Sequence, residues 1–197
     1  IFEILLVVLI KNFVSDYSKF INFYVLNPVP IYILYIHGQN DILPVYFIFL
    51  SIYFLKTKKV FLSAIVLSLI ISTKIIFIVI FPIFLLYVYK TKIYADSRNS
   101  FVATTSGLTI LQLLLYMSVP GYVDMISYNQ ERLGFLQMSL NIGNLSLPLL
   151  LIIYFLILFQ LIRYRVMYEK LLLTNLIVVL FSFFIFNNFA PGWSIWF

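Results

Sequence analysis

The residues best suited to chemistry are His37-Gly38-Gln39-Asn40-Asp41, just ahead of an apolar run that begins at Ile42. A tight turn explains part of this group: Gly38 supplies backbone freedom and Asp41 can cap the following helix. A plain turn does not need His, Gln and Asp together. The group offers donors and an acid able to hold a sugar hydroxyl or a phosphate. Lys74 is the second signal, because it stands between two apolar runs, away from the other basic groups. An intramembrane cation faces a wet cavity, pairs with an anion, or snorkels to the headgroups. In the first two settings it is a point charge for a phosphate. Arg132 shares the face of Lys74, with Glu131 beside it as a bland surface partner. Asp124 is a weaker candidate. Trp193 and Trp196 follow the last apolar run, where they suit an aromatic belt or a stacking platform for a sugar ring. Glu3 is an acid inside the first apolar run, and an intramembrane acid is a functional candidate by default.

The elements that must position these residues are membrane helices. The chain is 63% hydrophobic and 10% charged, more apolar surface than a soluble domain of 197 residues can hide. Eleven of its thirteen basic residues fall in four gaps between apolar runs: Lys11 to Lys19, Lys56 to Lys59, Lys90 to Arg98, and Arg163 to Lys170. Cytoplasmic loops carry such an excess, so all four gaps are expected on the cytoplasmic face. The His37 group, Lys74, 120–146 and Trp193 then gather on the opposite face. The net charge of +6 belongs to the cytoplasmic loops and suits anionic headgroups; nothing invokes nucleic acid. The absence of Cys excludes disulfides, zinc-cysteine sites and thiol catalysis, and a single His excludes multi-His metal sites. No Walker A loop, GxGxxG or HExxH is present.

Spans are expected at about 1–10, 20–36, 42–55, 60–73, 75–89, 101–119, 147–162 and 171–186, several shorter than the roughly 20 residues of a full crossing. The fold class expected is an all-α, polytopic helical bundle of about seven to eight short or broken transmembrane helices in one domain over 1–197. Val60 to Tyr89 as one helix would run about 45 Å, too long for a core of about 30 Å. Two short spans meeting at Lys74 keep the flanking basic gaps on one face; a tilted single helix is the alternative. Asn27-Pro28-Val29-Pro30 breaks the 20–36 run. In 120–146, Tyr122, Met125, Ile126, Leu133, Leu136 and Leu140 recur at helical spacing, which predicts an amphipathic helix in the extracytoplasmic interface. Asn144-Leu145-Ser146 matches a glycosylation sequon. The opening inside an apolar run and the stop at Trp196-Phe197 suggest a chain truncated at both ends.

Leu26-Asn27-Pro28-Val29-Pro30-Ile31-Tyr32 followed by His37-Gly38-Gln39-Asn40-Asp41 resembles the NP…GQ-x-D segment of the GT-C superfamily of integral membrane glycosyltransferases. Ser72-Thr73-Lys74 with Phe81-Pro82 resembles that family's Lys…Pro helix pair, and 188–196 is similar to its late aromatic-Pro motif. The bacterial, mannosyltransferase-like branches are the most similar.

The resemblance implies a hexosyltransferase of the bacterial inner membrane with its cavity on the extracytoplasmic face. Its donor would be a polyprenyl-phosphate-linked sugar and its acceptor a glycan or glycolipid. No cofactor is implied, although a divalent metal is compatible with the reaction. The family's general-base Asp would lie upstream of Ile1, so no catalytic residue is carried onto this sequence. The resemblance assigns His37, Gln39 and Asp41 to substrate positioning and Lys74 to the lipid phosphate. Arg132 and Trp193 are further substrate-binding candidates. The competing readings are a transporter or flippase, an O-antigen polymerase-like protein handling the same lipid-linked glycans, and a non-catalytic membrane subunit.

Overall fold

The structure is a computed structural model that describes residues 2–26, 42–73, 75–121, 139–142 and 145–185. It is mostly helical. The chain divides into two compact units, Ile1–Phe77 with Asn99–Thr109, and Ile78–Arg98 with Ile110–Phe197.

The first unit holds α1 (Phe2–Ile10), α2 (Tyr17–Leu26), α3 (Ile42–Lys56) and α4 (Val60–Thr73). It also takes 99–109 of α6 (Arg98–Met117). Its most extensive packing is α3 against α4, joined by a three-residue turn. The turn closes by the Lys59 N–H donating to the Phe54 carbonyl (2.7 Å) and the Lys58 N–H to Leu55 (2.8 Å). That is a Schellman stop, and Lys58 takes its left-handed position at φ 61° where glycine is usual. Beyond the turn the helices return antiparallel. Ser51, six residues before Thr57, meets Ser63, six residues after it, with hydroxyls 2.8 Å apart. α1 runs alongside α3 in the same direction: Phe2 packs on Tyr46 and Phe47, Phe13 on Phe49. From α6, Phe101, Thr105 and Thr109 form a buried stripe at four-residue spacing. The Thr105 hydroxyl donates to the Ala64 carbonyl at 3.4 Å.

The second unit holds α5 (Phe81–Lys90), 110–117 of α6, α7 (Leu149–Arg163) and α8 (Glu169–Ile185). Pro82 opens α5, where its missing N–H has no helical partner to lose. Ile83, Phe84, Tyr87 and Val88 give α5 its buried face. α7 runs parallel to α5. The Tyr154 hydroxyl donates to the Val79 carbonyl just before α5 begins (2.9 Å), and Lys90 at its end reaches the end of α7. α8 packs on both.

The strands β1 (Ser139–Ile142) and β2 (Leu145–Pro148) pair antiparallel, with Leu140 opposite Leu147 and Ile142 opposite Leu145. The fold is therefore not purely helical. The interfacial helix expected to extend to Leu140 does not reach it; 122–138 lies outside the described residues. Alternating Leu140, Ile142, Leu145 and Leu147 has the period of a strand, and that local pattern wins.

Val60 to Tyr89 is not one α-helix. α4 ends at Thr73, and a 3-10 turn over Ile75–Ile80 precedes α5. A run of Ile, Phe and Val is restricted at χ1 in a helix, which favours the break there. The Asn27-Pro28-Val29-Pro30 break expected in the 20–36 run lies just past α2, outside the described residues.

Several helices bury hydroxyls beside their apolar core and leave large apolar side chains exposed. On α4, Ser63 and Ser68 are fully buried while Phe61 is 57% exposed and Leu69 37% exposed. On α6, Thr105 and Thr109 are buried while Ile110, Leu111, Leu114 and Leu115 are exposed. On α7 and α8, Phe155, Phe159, Ile177 and Phe181 are exposed while Ser182 is buried. Among the described residues one helical run, Lys92–Met117, is long and apolar enough to cross a membrane. Ile42–Lys56, Val60–Thr73, Phe77–Lys90 and Leu149–Arg163 are apolar but shorter.

Candidate functional site

His37, Gln39, Asp41, Lys74, Arg132 and Trp193 all lie outside the described residues, as do Asp124, Glu131, Asn144 and Trp196. The structure instead fixes the helix ends to which the first four are joined in sequence. Asp41 precedes Ile42, the first residue of α3, and Lys74 follows Thr73, the last residue of α4. Because α3 and α4 are antiparallel and nearly equal in length, Ile42 and Thr73 lie at the same end of their hairpin. The Lys56–Lys59 turn lies at the other end. Glu3 is described, half-buried in the first turn of α1. The Phe2 contacts with Tyr46 and Phe47 place Glu3 toward the Ile42 end.

The basic gaps are brought together in pairs. In the first unit the Lys56 ammonium donates to the Asn12 carbonyl at 3.0 Å and covers the Phe13 ring at 5.3 Å. This joins the gap after α1 to the gap after α3. An exposed Lys19–Asp16 pair at 3.1 Å adds little, since solvent screens it. In the second unit the Lys90 ammonium donates to the carbonyls of Leu161 (2.8 Å), Ile162 (2.6 Å) and Tyr164. These are among the last carbonyls of α7, which have no partner inside the helix, and a cation there also suits the helix dipole. Thr91 donates to the Met167 carbonyl at 3.1 Å, which ties the same two connections again.

Sequence reasoning missed the hydroxyl seam in the first unit. Ser51 donates to the Ser63 carbonyl (3.2 Å) as well as meeting its hydroxyl, and Ser68 bonds the Ile65 carbonyl (2.7 Å). The Ser68 bond stays within α4, whereas the Ser51–Ser63 contacts cross between helices, the kind of bond that helps hold helices together in an apolar solvent. The signal was available: Ser51 and Ser63 are symmetric about Thr57 in the sequence. Two buried polar atoms among the described residues lack a hydrogen-bond partner, the Thr109 hydroxyl and the Arg98 Nε. No group of three acidic or His side chains that could hold a metal occurs among the described residues.

Comparison with family models, with curated proteins and with solved structures finds no match to this chain.

Proposed function

We propose that the chain is part of a polytopic membrane glycosyltransferase of the GT-C kind. It moves a hexose from a polyprenyl-phosphate-linked donor to a lipid-linked or surface glycan acceptor, on the extracytoplasmic face of a bacterial inner membrane. The membrane half of this reading is supported by the many large apolar side chains that the helices leave exposed, with a few serine and threonine hydroxyls buried among the apolar core. Every backbone polar group in a bilayer core must be met within the protein, and buried hydroxyls bonding backbone carbonyls fit that demand. The transferase half rests on the ordered motifs.

One structural relationship carries the site. The ends of α3 and α4 that adjoin Asp41 and Lys74 lie together, opposite the Lys56–Lys59 turn. An acid-bearing donor cluster and an intramembrane cation entering at one end of a helix pair suit a lipid-linked sugar phosphate. In this reading His37, Gln39 and Asp41 orient sugar hydroxyls. The acceptor oxygen attacks the anomeric carbon, and the bond from that carbon to the phosphate oxygen breaks. The departing polyprenyl phosphate keeps the bonding pair, and Lys74, with Arg132, offsets the charge that grows on it. The acceptor proton passes to a general base that this reading assigns to no residue of the sequence, a role worth about 10²–10⁴-fold in rate.

The test uses membranes carrying the full-length gene product and radiolabelled polyprenyl-phosphate sugars. Transfer by the natural protein, lost on His37→Ala, supports the reading. Absence of transfer from any such donor, with the protein well expressed, rejects it in favour of transport or polymerisation of lipid-linked glycans.

A further inference from the structure

We propose that the joined basic loops of the second unit form a docking surface for anionic phospholipid headgroups. This inference rests on the membrane reading above but not on the transferase reading. The two connections concerned, 90–98 and 163–170, carry six basic side chains against two acids, Asp96 and Glu169. They would repel one another if left to themselves. Lys90 overcomes this by spending its charge on the carbonyls at the end of α7, with Thr91 bonded to Met167 beside it. The remaining cations are left together at one end of the unit, where Lys92, Arg163, Arg165 and Lys170 are exposed.

Their setting is that of a membrane interface. Exposed Tyr89, Ile93, Tyr164, Val166 and Tyr168 interleave with the cations. Arg163 lies over the Phe159 ring at 4.5 Å, and Arg98 over the Tyr89 ring at 5.6 Å. Each aromatic face holds a guanidinium in place, and its N–H groups are the fork that recognises phosphate. The Arg98 Nε is buried and meets no acceptor among the described residues, so the headgroup contacts fall to the exposed Arg163, Arg165, Lys92 and Lys170. Apolar side chains at headgroup level would contact the glycerol and upper acyl region. A soluble anion offers nothing for them to cover, and that favours lipid as the occupant.

The experiment reconstitutes the full chain in discs of equimolar phosphatidylglycerol and phosphatidylcholine, then counts lipids retained by native mass spectrometry. The natural protein should retain phosphatidylglycerol in preference. R163Q/R165Q/K170Q should weaken that preference by roughly five-fold for each charge removed. The charge-conserving R163K/R165K/K170R should keep most of it, which separates lost charge from lost folding. K56Q/K58Q/K59Q, an equal loss of charge in the first unit, should leave it intact. Equal weakening by both Gln triples would mean a diffuse field and overturn the docking surface. Displacement of the lipid by excess glycerol phosphate would overturn lipid as the occupant. Alkaline extraction of membranes separates the layers of the argument. Release of the chain would reject the membrane reading and this inference with it, whereas retention without headgroup preference would overturn this inference alone.

Discussion

The Lys90 ammonium lies 2.8 Å from the Leu161 carbonyl, joining residues seventy-one positions apart at the exits of two parallel helices. The same ammonium serves the Ile162 and Tyr164 carbonyls. Removing it would leave orphan carbonyls at the α7 terminus and let two like-charged connections separate. Lys90→Met should therefore destabilise the protein by about 1–2 kcal/mol, after allowing for the partial exposure of Lys90. Denaturant titration in detergent micelles measures this. Lys90→Arg should recover part of the loss, because a guanidinium donates to carbonyls with different geometry. A Met variant as stable as the natural protein would show that the bond contributes nothing.

Ser51 and Ser63 should be coupled. Each single change to Ala should cost little, since hydrogen bonds between membrane helices average about 0.6 kcal/mol in double-mutant cycles. The double change should cost less than the two single changes added, because both remove the same 2.8 Å contact. Ser63→Leu is a different matter. Ser63 is fully buried against α3, and the larger side chain should cost about 1–3 kcal/mol through overpacking. Thermal unfolding of the four proteins in one detergent gives the coupling; strictly additive effects would dissolve the pair.

Lys58 should tolerate glycine better than its own side chain. Its φ of 61° strains a residue with a Cβ, and glycine at this point of a Schellman stop has no such penalty. Lys58→Gly should stabilise the α3–α4 hairpin by up to about 1 kcal/mol, less any contribution of the lost charge. Unfolding midpoints of the two proteins decide the sign.

The topology can be read directly, because the chain has no natural Cys. Thr57→Cys in the α3–α4 turn and Lys92→Cys after α5 should label from the same side of the membrane. Val119→Cys, beyond the far end of α6, should label from the other. An impermeant thiol reagent added to right-side-out and inverted vesicles reports this. Labelling of Thr57→Cys and Lys92→Cys from opposite sides would refute the shared cytoplasmic face of the basic gaps.

Helices were legible in the sequence where apolar runs ended at strong punctuation. α3 stops at Lys56 and α4 begins at Val60, each within a residue of the run boundaries. The break after Thr73 was legible from the length of the Val60 to Tyr89 run and from the basic gaps on either side of it. The hairpin was hidden by a competing period. Leu133, Leu136 and Leu140 are spaced for a helix, yet Leu140 also begins the alternation through Ile142, Leu145 and Leu147 around Gly143-Asn144, a two-residue hairpin signal. The hydroxyl seam escaped notice because single serines in apolar helices look unremarkable until the antiparallel return aligns Ser51 with Ser63. Of the candidate site, the structure describes only the helix ends that adjoin it in sequence, Ile42 of α3 and Thr73 of α4. The residues themselves lie outside the described ones, so their chemistry still rests on residue type and order.

Lys74 is the sharpest test of that chemistry. It follows Thr73 at the end of α4, where two part-buried hydroxyls bond back along the helix: Ser72 to the Ser68 carbonyl at 3.0 Å and Thr73 to the Ile70 carbonyl at 2.6 Å. These hydroxyls bond within their own helix, and Lys74, next in sequence, is the cation that the proposed site assigns to the phosphate. In the full-length protein, Lys74→Ala should lower kcat for transfer from a polyprenyl-phosphate sugar by on the order of 10²-fold or more, the usual consequence of deleting a group that stabilises developing charge. Expression and membrane integration should be unchanged. Lys74→Arg should restore part of the rate, since charge is kept but its position moves. A loss confined to KM would make Lys74 a ground-state binding residue. Full activity in Lys74→Ala would remove it from the mechanism and leave the His37 group, Arg132 and Trp193 as the parts of the proposed site to pursue.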